Sequence, residues 1–167
     1  MTIQFRDIQL AIDKNEILDF HCFINYESES LLFRSLPYEV YREYWLASPQ
    51  PEEVLHLMKQ DLVDDRNIVQ FALINQKVVG FLWVRFTDVN MTINDQYTIA
   101  EMYDVGVKAE YRKQGIGTEI LAYIDKEARR RGAKLIRSGA GINNIASQKL
   151  HEKYAFHIYQ VLYEKKV

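Results

Sequence analysis

The sequence predicts one α/β domain with a mixed sheet, antiparallel first and parallel later. Two β-rich runs, residues 68–74 and 78–86, are separated by a short polar turn, which is typical of an antiparallel hairpin. Further on, residues 98–107 read as a strand that leads through a glycine-bearing loop into an amphipathic helix and then into a buried strand at 134–139. Such a crossover places its two strands in parallel. The length of 167 residues suits a single domain, residues 1–167.

Composition and charge narrow the classes of function. The formal net charge is −2, so an overall electrostatic attraction to nucleic acid is not indicated. Three consecutive arginines, 129–131, precede Gly132 at the predicted end of a helix, where the helix dipole favours cations. The single cysteine, Cys22, excludes an intrachain disulfide and has no companion that suggests a metal site. Neither a signal-like leader nor a membrane-length apolar run is found, so we expect a cytoplasmic protein without a membrane partner. The charge and the lone cysteine likewise lead us to expect no nucleic-acid partner and no metal.

The N-terminal part predicts a strand followed by a helix. Residues 3–10 alternate well enough for a strand, and Asp13 with Glu16 three residues later resembles a capping box. The next apolar residues recur at helical spacing, and His21 lies among them. We interpret His21 as a hydrogen-bonded packing residue in preference to a metal ligand.

An aromatic stretch follows at residues 31–45. Its aromatic members are Phe33, Tyr38, Tyr41, Tyr44 and Trp45. One interpretation is a wall of a substrate pocket that holds a cationic amine over ring faces. The interpretation that we favour is a helix packed on the sheet. After Pro51, residues 52–62 predict another helix.

The loop at residues 112–117 has the features of an anion site. It reads Arg-Lys-Gln-Gly-Ile-Gly and opens a helix whose apolar residues form one stripe. The first amides of a helix lack internal partners and carry the positive end of the dipole, and glycines let a phosphate approach them. Neither the Gly-Lys-Ser/Thr of a triphosphate loop nor the three glycines of a dinucleotide fingerprint are present.

Two motifs together point to a known family. The pattern Arg-x-x-Gly-x-Gly resembles the pyrophosphate loop of the GCN5-related N-acetyltransferases, and residues 144–156 resemble that family's N-x-x-A/S-x-x-L-Y-E-K-x-G-F segment. His151 stands where the family usually has tyrosine, and Ala155 where it usually has glycine. The resemblance covers residues 67–166 and says little about residues 1–66.

The resemblance implies a fold and a cofactor. The fold is that of the acyl-CoA N-acyltransferases: a mostly antiparallel mixed sheet, helices on both faces, and a parallel pair of strands that splay apart. Acetyl-coenzyme A would place its pyrophosphate on the loop amides, with Arg112 and Gln114, and its pantetheine arm along the free backbone of Val105 and Val107. The residues implied to bind the coenzyme are Val105, Gly106, Val107, Arg112, Lys113, Gln114, Gly115, Ile116, Gly117, Thr118, Asn144 and Ser147.

The catalytic residues are hypotheses that rest partly on the same resemblance. A backbone amide near Val105 would polarise the thioester carbonyl. Glu101 is the preferred base, since strand alternation places it on the face of Tyr103 and Val105, while Asp104 points the other way. A solvated or salt-bridged carboxylate is the alternative interpretation of Glu101.

The proton for the leaving thiolate has three candidate sources. His151 occupies the place of the family's tyrosine, and an imidazole can donate a proton near neutral pH. Tyr154, three residues further on, is the second candidate. Water is the third, in which case His151 is an exposed helix residue.

The predicted function is transfer of an acetyl group from acetyl-coenzyme A to a primary amine. Transfer of another acyl group, or a non-catalytic acyl-coenzyme A sensor on the same scaffold, are the alternatives. The acceptor can be a small molecule, a peptide or a protein amine. A homodimer is compatible with the resemblance, because paired subunits are common in the family.

Finally, residues 88–96 predict a polar connection, and the alternation within 156–166 predicts the last strand of the sheet.

Overall fold

The computed structural model describes residues 2–30, 35–90 and 96–165. Phe33 of the aromatic stretch therefore lies outside the described residues. The helices are α1 (Leu10–Ser28), α2 (Tyr38–Ala47), α3 (Gln50–Asp61), α4 (Ile116–Arg130) and α5 (Ile145–Lys153). The strands are β1 (Gln4–Asp7), β2 (Ile68–Ile74), β3 (Lys77–Asn90), β4 (Gln96–Val107) and β5 (Leu135–Ser138).

The strands form one five-stranded sheet in the order β1-β2-β3-β4-β5. The first three pairings are antiparallel, and β4 with β5 is parallel, so the predicted mixed sheet is confirmed. The hairpin turn between β2 and β3 holds Asn75 and Gln76 at φ of 49° and 66°. Positive φ at both central residues is the geometry that matches the twist of a tight hairpin.

Helices cover both faces of the sheet, as the fold class predicts. Helices α1, α2 and α3 bury one apolar cluster against β2 and β3, with Phe71, Phe81 and Trp83 at its centre. Helix α4 buries the other against β3 and β4. The five residues of its predicted apolar stripe are all buried: Ile116, Ile120, Leu121, Ile124 and Ala128. Tyr41 and Trp45 belong to the first cluster, which confirms the packing interpretation for these two aromatic residues.

Helix α1 begins three residues before the predicted capping box. Gln9 is the N-cap residue, and its backbone N–H donates to the Asp13 carboxylate over 2.8 Å. The same carboxylate accepts two hydrogen bonds of 2.9 Å from Arg6 of β1. Asp13 therefore joins the first strand to the first helix instead of starting the helix.

Strand β4 carries a bulge opposite Trp83 and Val84 that alternation alone does not predict. Trp83 pairs with Asp104 and Val84 with Met102, so Tyr103 is the extra residue. As a result Tyr103 and Asp104 both lie toward α1, while the side chain of Val105 packs on the α4 cluster. The expectation that Val105 shares a face with Glu101 and Tyr103, with Asp104 opposite, is wrong for this reason.

Two predicted connections differ from the structure. The polar connection expected at 88–96 is partly strand, because β3 extends to Asn90 and β4 begins at Gln96. The last strand expected at 156–166 is absent from residues 156–165, which are irregular and mostly exposed. Alternation supplies strand propensity, but a strand forms only where a partner completes its ladder.

Within the described chain no helix combines the length and hydropathy needed to cross a membrane.

Candidate active site

The parallel strands part after residue 102 and leave an open edge on β4. Strand β5 pairs with Ile99–Met102 and with no later residue of β4 among those described. The N–H of Lys108 donates to the Val79 carbonyl over 3.0 Å, which directs Lys108 toward β3. Successive residues of a strand direct their backbone groups to opposite edges, so Val107 and Val105 direct theirs into the opening. Among the described residues this edge therefore has no strand partner, and an extended ligand can complete it.

The loop after β4 delivers a helix N-terminus beside that edge. A short 3-10 turn, Ala109–Tyr111, leads into the loop, and Lys113 has a φ of 59° and Gly115 a φ of 84°. Gly115 is the N-cap of α4, and no side chain among the described residues caps this helix. The first amides of α4 therefore face outward with the positive end of the dipole, as an anion requires.

Arg112 and Gln114 bond to nearby backbone. Arg112 Nε donates to the Val107 carbonyl over 3.1 Å, and its guanidinium carbon lies 4.8 Å from the centre of the Phe23 ring. Gln114 donates to the Glu110 carbonyl over 3.2 Å. Arg112 thus bridges α1 and the open edge and occupies one of the backbone groups expected to bind the coenzyme.

Asn144 and Ser147 belong to the start of α5. The Asn144 side chain accepts the backbone N–H of Ser147 over 3.1 Å, which is a helix N-cap. Capping explains the position of both residues without a ligand. Asn144 also lines the cavity described below.

His151 has one ring nitrogen bonded and the other unpaired. Its Nδ1 lies 2.7 Å from the Ser147 carbonyl, an acceptor, so Nδ1 carries the proton of the neutral ring. Nε2 is buried without a hydrogen-bond partner among the described residues. The ring packs edge-on against Phe156, with centroids 4.9 Å apart. Nε2 is therefore a proton acceptor in the neutral ring and can donate only after it is protonated.

Tyr154 attaches α5 to α4. Its hydroxyl donates to the Thr118 carbonyl over 2.6 Å. Leu150 lies over the loop, and a Cβ added to Gly117 would come 3.1 Å from Leu150 Cδ2. Because its hydroxyl proton is already used, Tyr154 has a structural role in this arrangement.

Glu101 is exposed at the sheet surface. It pairs across the strands with Arg85, whose guanidinium binds the Asp61 carboxylate over 2.8 Å and lies 5.5 Å from the centre of the Tyr103 ring. Asp61 also accepts the Trp83 indole N–H over 2.7 Å. Glu101 is thus open to solvent beside a cation whose charge another carboxylate already balances.

A cavity of about 250 Å³ lies between α1 and the open edge. Its β4 wall includes Val105, Gly106 and Val107, and the opposite wall is formed by α1. The α1 and α2 residues that line it are Glu16, Asp19, Phe20, Phe23, Ile24, Glu27 and Tyr38. Of the aromatic stretch, Tyr38 lines this cavity and also packs against the first apolar cluster.

The pairing of His21 with Asp104 was not predicted from the sequence. His21 is hydrogen-bonded, as expected, and its partner is Asp104. Asp104 is 3% exposed, and burial raises the pKa of its carboxyl while the His21 hydrogen bond opposes that rise. No local signal marks this pair, since 83 residues separate the two positions and a bulge turns Asp104 inward.

Comparison with known proteins decides the family. The model of the acetyltransferase (GNAT) family matches residues 33–156, about three quarters of the chain. The chain belongs to the GNAT acetyltransferases. No curated protein matches the sequence. Within the described residues no group of three or more His, Cys, Asp or Glu side chains could hold a metal ion.

Several solved structures share the fold over almost the whole chain. An aminoglycoside 6'-N-acetyltransferase from Acinetobacter baumannii is 18% identical, with a TM-score of 0.67 and coverage of 99% of each chain. A predicted acetyltransferase from Clostridium acetobutylicum, determined with acetyl-coenzyme A, is 15% identical, with a TM-score of 0.71 and coverage of 99% of this chain and 96% of the other. A transcriptional regulator from Bacillus halodurans is 19% identical, with a TM-score of 0.68 and coverage of 99% and 100%. At these identities the likeness concerns the fold alone.

Proposed function

We propose that this GNAT protein transfers an acetyl group from acetyl-coenzyme A to a primary amine. The observation that carries the proposal is the open β4 edge at Val105 and Val107 beside the uncapped N-terminus of α4. The edge suits the amide groups of a pantetheine arm, and the helix terminus suits a pyrophosphate. The edge and the helix terminus follow each other along the chain, as the pantetheine arm and the pyrophosphate do in the coenzyme.

Binding would require Arg112 to change partners. Its Nε now bonds to the Val107 carbonyl, which the pantetheine arm would need. Once released, the guanidinium can turn to the pyrophosphate and form charge-assisted hydrogen bonds. The guanidinium would then leave the Phe23 ring, and both of these residues line the cavity.

The chain supplies groups for each part of amine acylation. The Val105 N–H, directed into the opening, would stabilise negative charge on the thioester oxygen. Glu101 would take the ammonium proton through water, because it is exposed to solvent. His151 would return a proton to the leaving thiolate from Nε2 once that nitrogen is protonated. Tyr154 is the weaker candidate for this step, since its hydroxyl is already bonded to Thr118.

A sensor that binds acyl-coenzyme A without turnover is the second candidate. The observation that favours it is the replacement of the family's tyrosine by His151, whose only proton in the neutral ring is bonded to the Ser147 carbonyl. Turnover distinguishes the two functions, because a sensor binds the coenzyme and releases no free thiol in the presence of amines.

The test combines binding with a turnover screen. Calorimetry with acetyl-coenzyme A should show binding, and a thiol-release assay with chemically diverse amines should reveal the acceptor class. Gly117→Asp should abolish binding, because it places a carboxylate at the helix N-terminus where the pyrophosphate is expected. Gly117→Asn is the matched control, since its Cβ contacts Leu150 in the same way while its side-chain amide is uncharged. Equal binding by the Asp and Asn variants would refute the loop assignment.

A further inference from the structure

A buried histidine–aspartate pair joins α1 to β4 one residue before Val105. The His21 Nδ1–H donates to Asp104 Oδ2, and the Asn25 amide donates to His21 Nε2 over 2.9 Å. Both ring nitrogens are therefore occupied, and the tautomer is fixed with the proton toward Asp104. The exposed fractions are 7% for His21 and 3% for Asp104.

Aromatic rings enclose the pair on several sides. The His21 ring lies 5.8 Å from Trp45, 6.4 Å from Trp83 and 6.4 Å from Tyr103 between centroids, and it is within 8° of parallel to Tyr103. A carboxylate placed here without its histidine would be desolvated and unpaired, which is strongly unfavourable. Asp104 is thus held on this face by a specific partner.

Asp104 reaches His21 only because of the bulge at Tyr103. If the bulge were absent, Tyr103 would pair with Trp83 and Asp104 with Leu82, whose side chain lies in the apolar cluster under α4. The same shift would turn the backbone groups of Val105 toward β3 and those of Gly106 into the opening. The bulge therefore decides which amide faces the site.

We propose that the His21–Asp104 hydrogen bond is a positioning device that holds this bulge and so aims the Val105 N–H into the active site. The proposal rests on the proposed acetyl transfer, in which that N–H stabilises charge on the thioester oxygen. The pair itself does not contact substrate. The pair acts by fixing the register of β4 against β3. A slip of one residue in that register would turn the Val105 N–H away from the active site.

The rival explanation is that the pair only stabilises the fold. Replacement of both partners of a buried hydrogen bond by apolar residues of similar shape can be nearly neutral for stability, whereas removal of one partner leaves the other unsatisfied and is costly. Replacement of both residues by leucine therefore separates the two explanations. It keeps the packing and removes the reason for Asp104 to occupy the α1 face.

The experiment compares His21→Leu/Asp104→Leu with Asp104→Asn, which keeps a hydrogen-bond acceptor of the same size. The matched control is Arg6→Leu/Asp13→Leu, which removes another carboxylate pair that anchors α1. Each variant is assayed for acetyl-coenzyme A affinity, for kcat with an acceptor found in the screen, and for the ¹³C shift of the bound acetyl carbonyl. That shift reports polarisation of the carbonyl and requires no turnover.

We expect the His21/Asp104 leucine variant to keep its coenzyme affinity, to lose about 10²-fold in kcat, and to return the carbonyl shift toward that of free coenzyme. Asp104→Asn and the Arg6/Asp13 control should resemble the parent in kcat and in carbonyl shift. Parent-like kcat and carbonyl shift in the His21/Asp104 leucine variant would overturn the proposal. If that variant does not fold, Asp104→Ala, measured below its melting temperature, has the same expected and overturning results.

The outcomes for the two proposals are distinguishable. A parent protein that binds the coenzyme but releases no thiol with any amine refutes acetyl transfer, and the carbonyl shift still tests the positioning device. If the parent does not bind the coenzyme, the cross-strand NMR contacts between Trp83 and the residue at position 104, measured in the free protein, test the positioning device. Their loss in the leucine variant supports the device, and their persistence overturns it.

Discussion

The close approach of α1 to β4 at Gly106 leads to a quantitative prediction. Gly106 lies between the two residues of the open edge, and a Cβ built on it would come 2.9 Å from Ile24 Cδ1 and 3.1 Å from Ile24 Cγ1. Its φ is not in the left-handed region, so the backbone itself accepts alanine. Gly106→Ala therefore tests packing alone.

The magnitude follows from two opposing effects. Overpacking costs about 1–3 kcal/mol, and loss of glycine's freedom in the unfolded chain returns about 0.4–1 kcal/mol. We expect Gly106→Ala to lower the free energy of unfolding by about 1–2 kcal/mol, which lowers the melting temperature by roughly 2–8 °C for a chain of this size. In the control Gly139→Ala nothing lies within 4 Å of the added Cβ, so only the unfolded-chain contribution remains and the free energy of unfolding should rise by about 0.4–1 kcal/mol.

Ile24→Val provides the decisive second mutation. It removes Cδ1, the atom nearest the added Cβ, and by itself should cost about 0.5–1.5 kcal/mol. The double mutant should therefore lose less free energy of unfolding than the sum of the losses in the two single mutants, by about 1 kcal/mol. Urea denaturation of the four proteins in this cycle measures the coupling. Additive costs would refute the packing argument.

Three further predictions follow from individual contacts. Tyr154→Phe should lower the free energy of unfolding by about 1 kcal/mol, because its hydroxyl donates to Thr118, and should leave turnover near that of the parent. His151→Ala should instead reduce kcat by about 10²–10⁴-fold with little change in stability; unchanged kinetics would assign the proton to water. Asp13→Asn should make stability less sensitive to acid in urea midpoints between about pH 7 and about pH 3. The reason is that the Arg6 hydrogen bonds hold the pKa of Asp13 below its usual value, so the stability they contribute is lost as pH falls; equal pH dependence in both proteins would contradict this.

Local patterns in the sequence predicted the mixed sheet and the helix that packs on it. The spacing of apolar residues in α4 predicted the buried stripe, and the polar turn at 75–77 predicted the hairpin. The strand–loop–helix–strand order predicted the parallel pairing of β4 and β5. These features depend on residues close in the chain, where periodicity and turn preferences express themselves directly. The glycine loop and the motif at 144–156 predicted the family for the same reason, and the match to the family model confirms that prediction.

Contacts between distant residues were decided only by the tertiary structure. Alternation along β4 predicted that Asp104 points away from Tyr103, but pairing with β3 inserts a bulge that turns both toward α1. The partner of His21 lies 83 residues away, so no local pattern identifies it. The alternating residues 156–165 form no strand, because a ladder requires hydrogen-bond partners that propensity does not supply. Periodicity thus determined which faces of the elements are apolar, whereas the register between strands decided which amide and which carboxylate face the site.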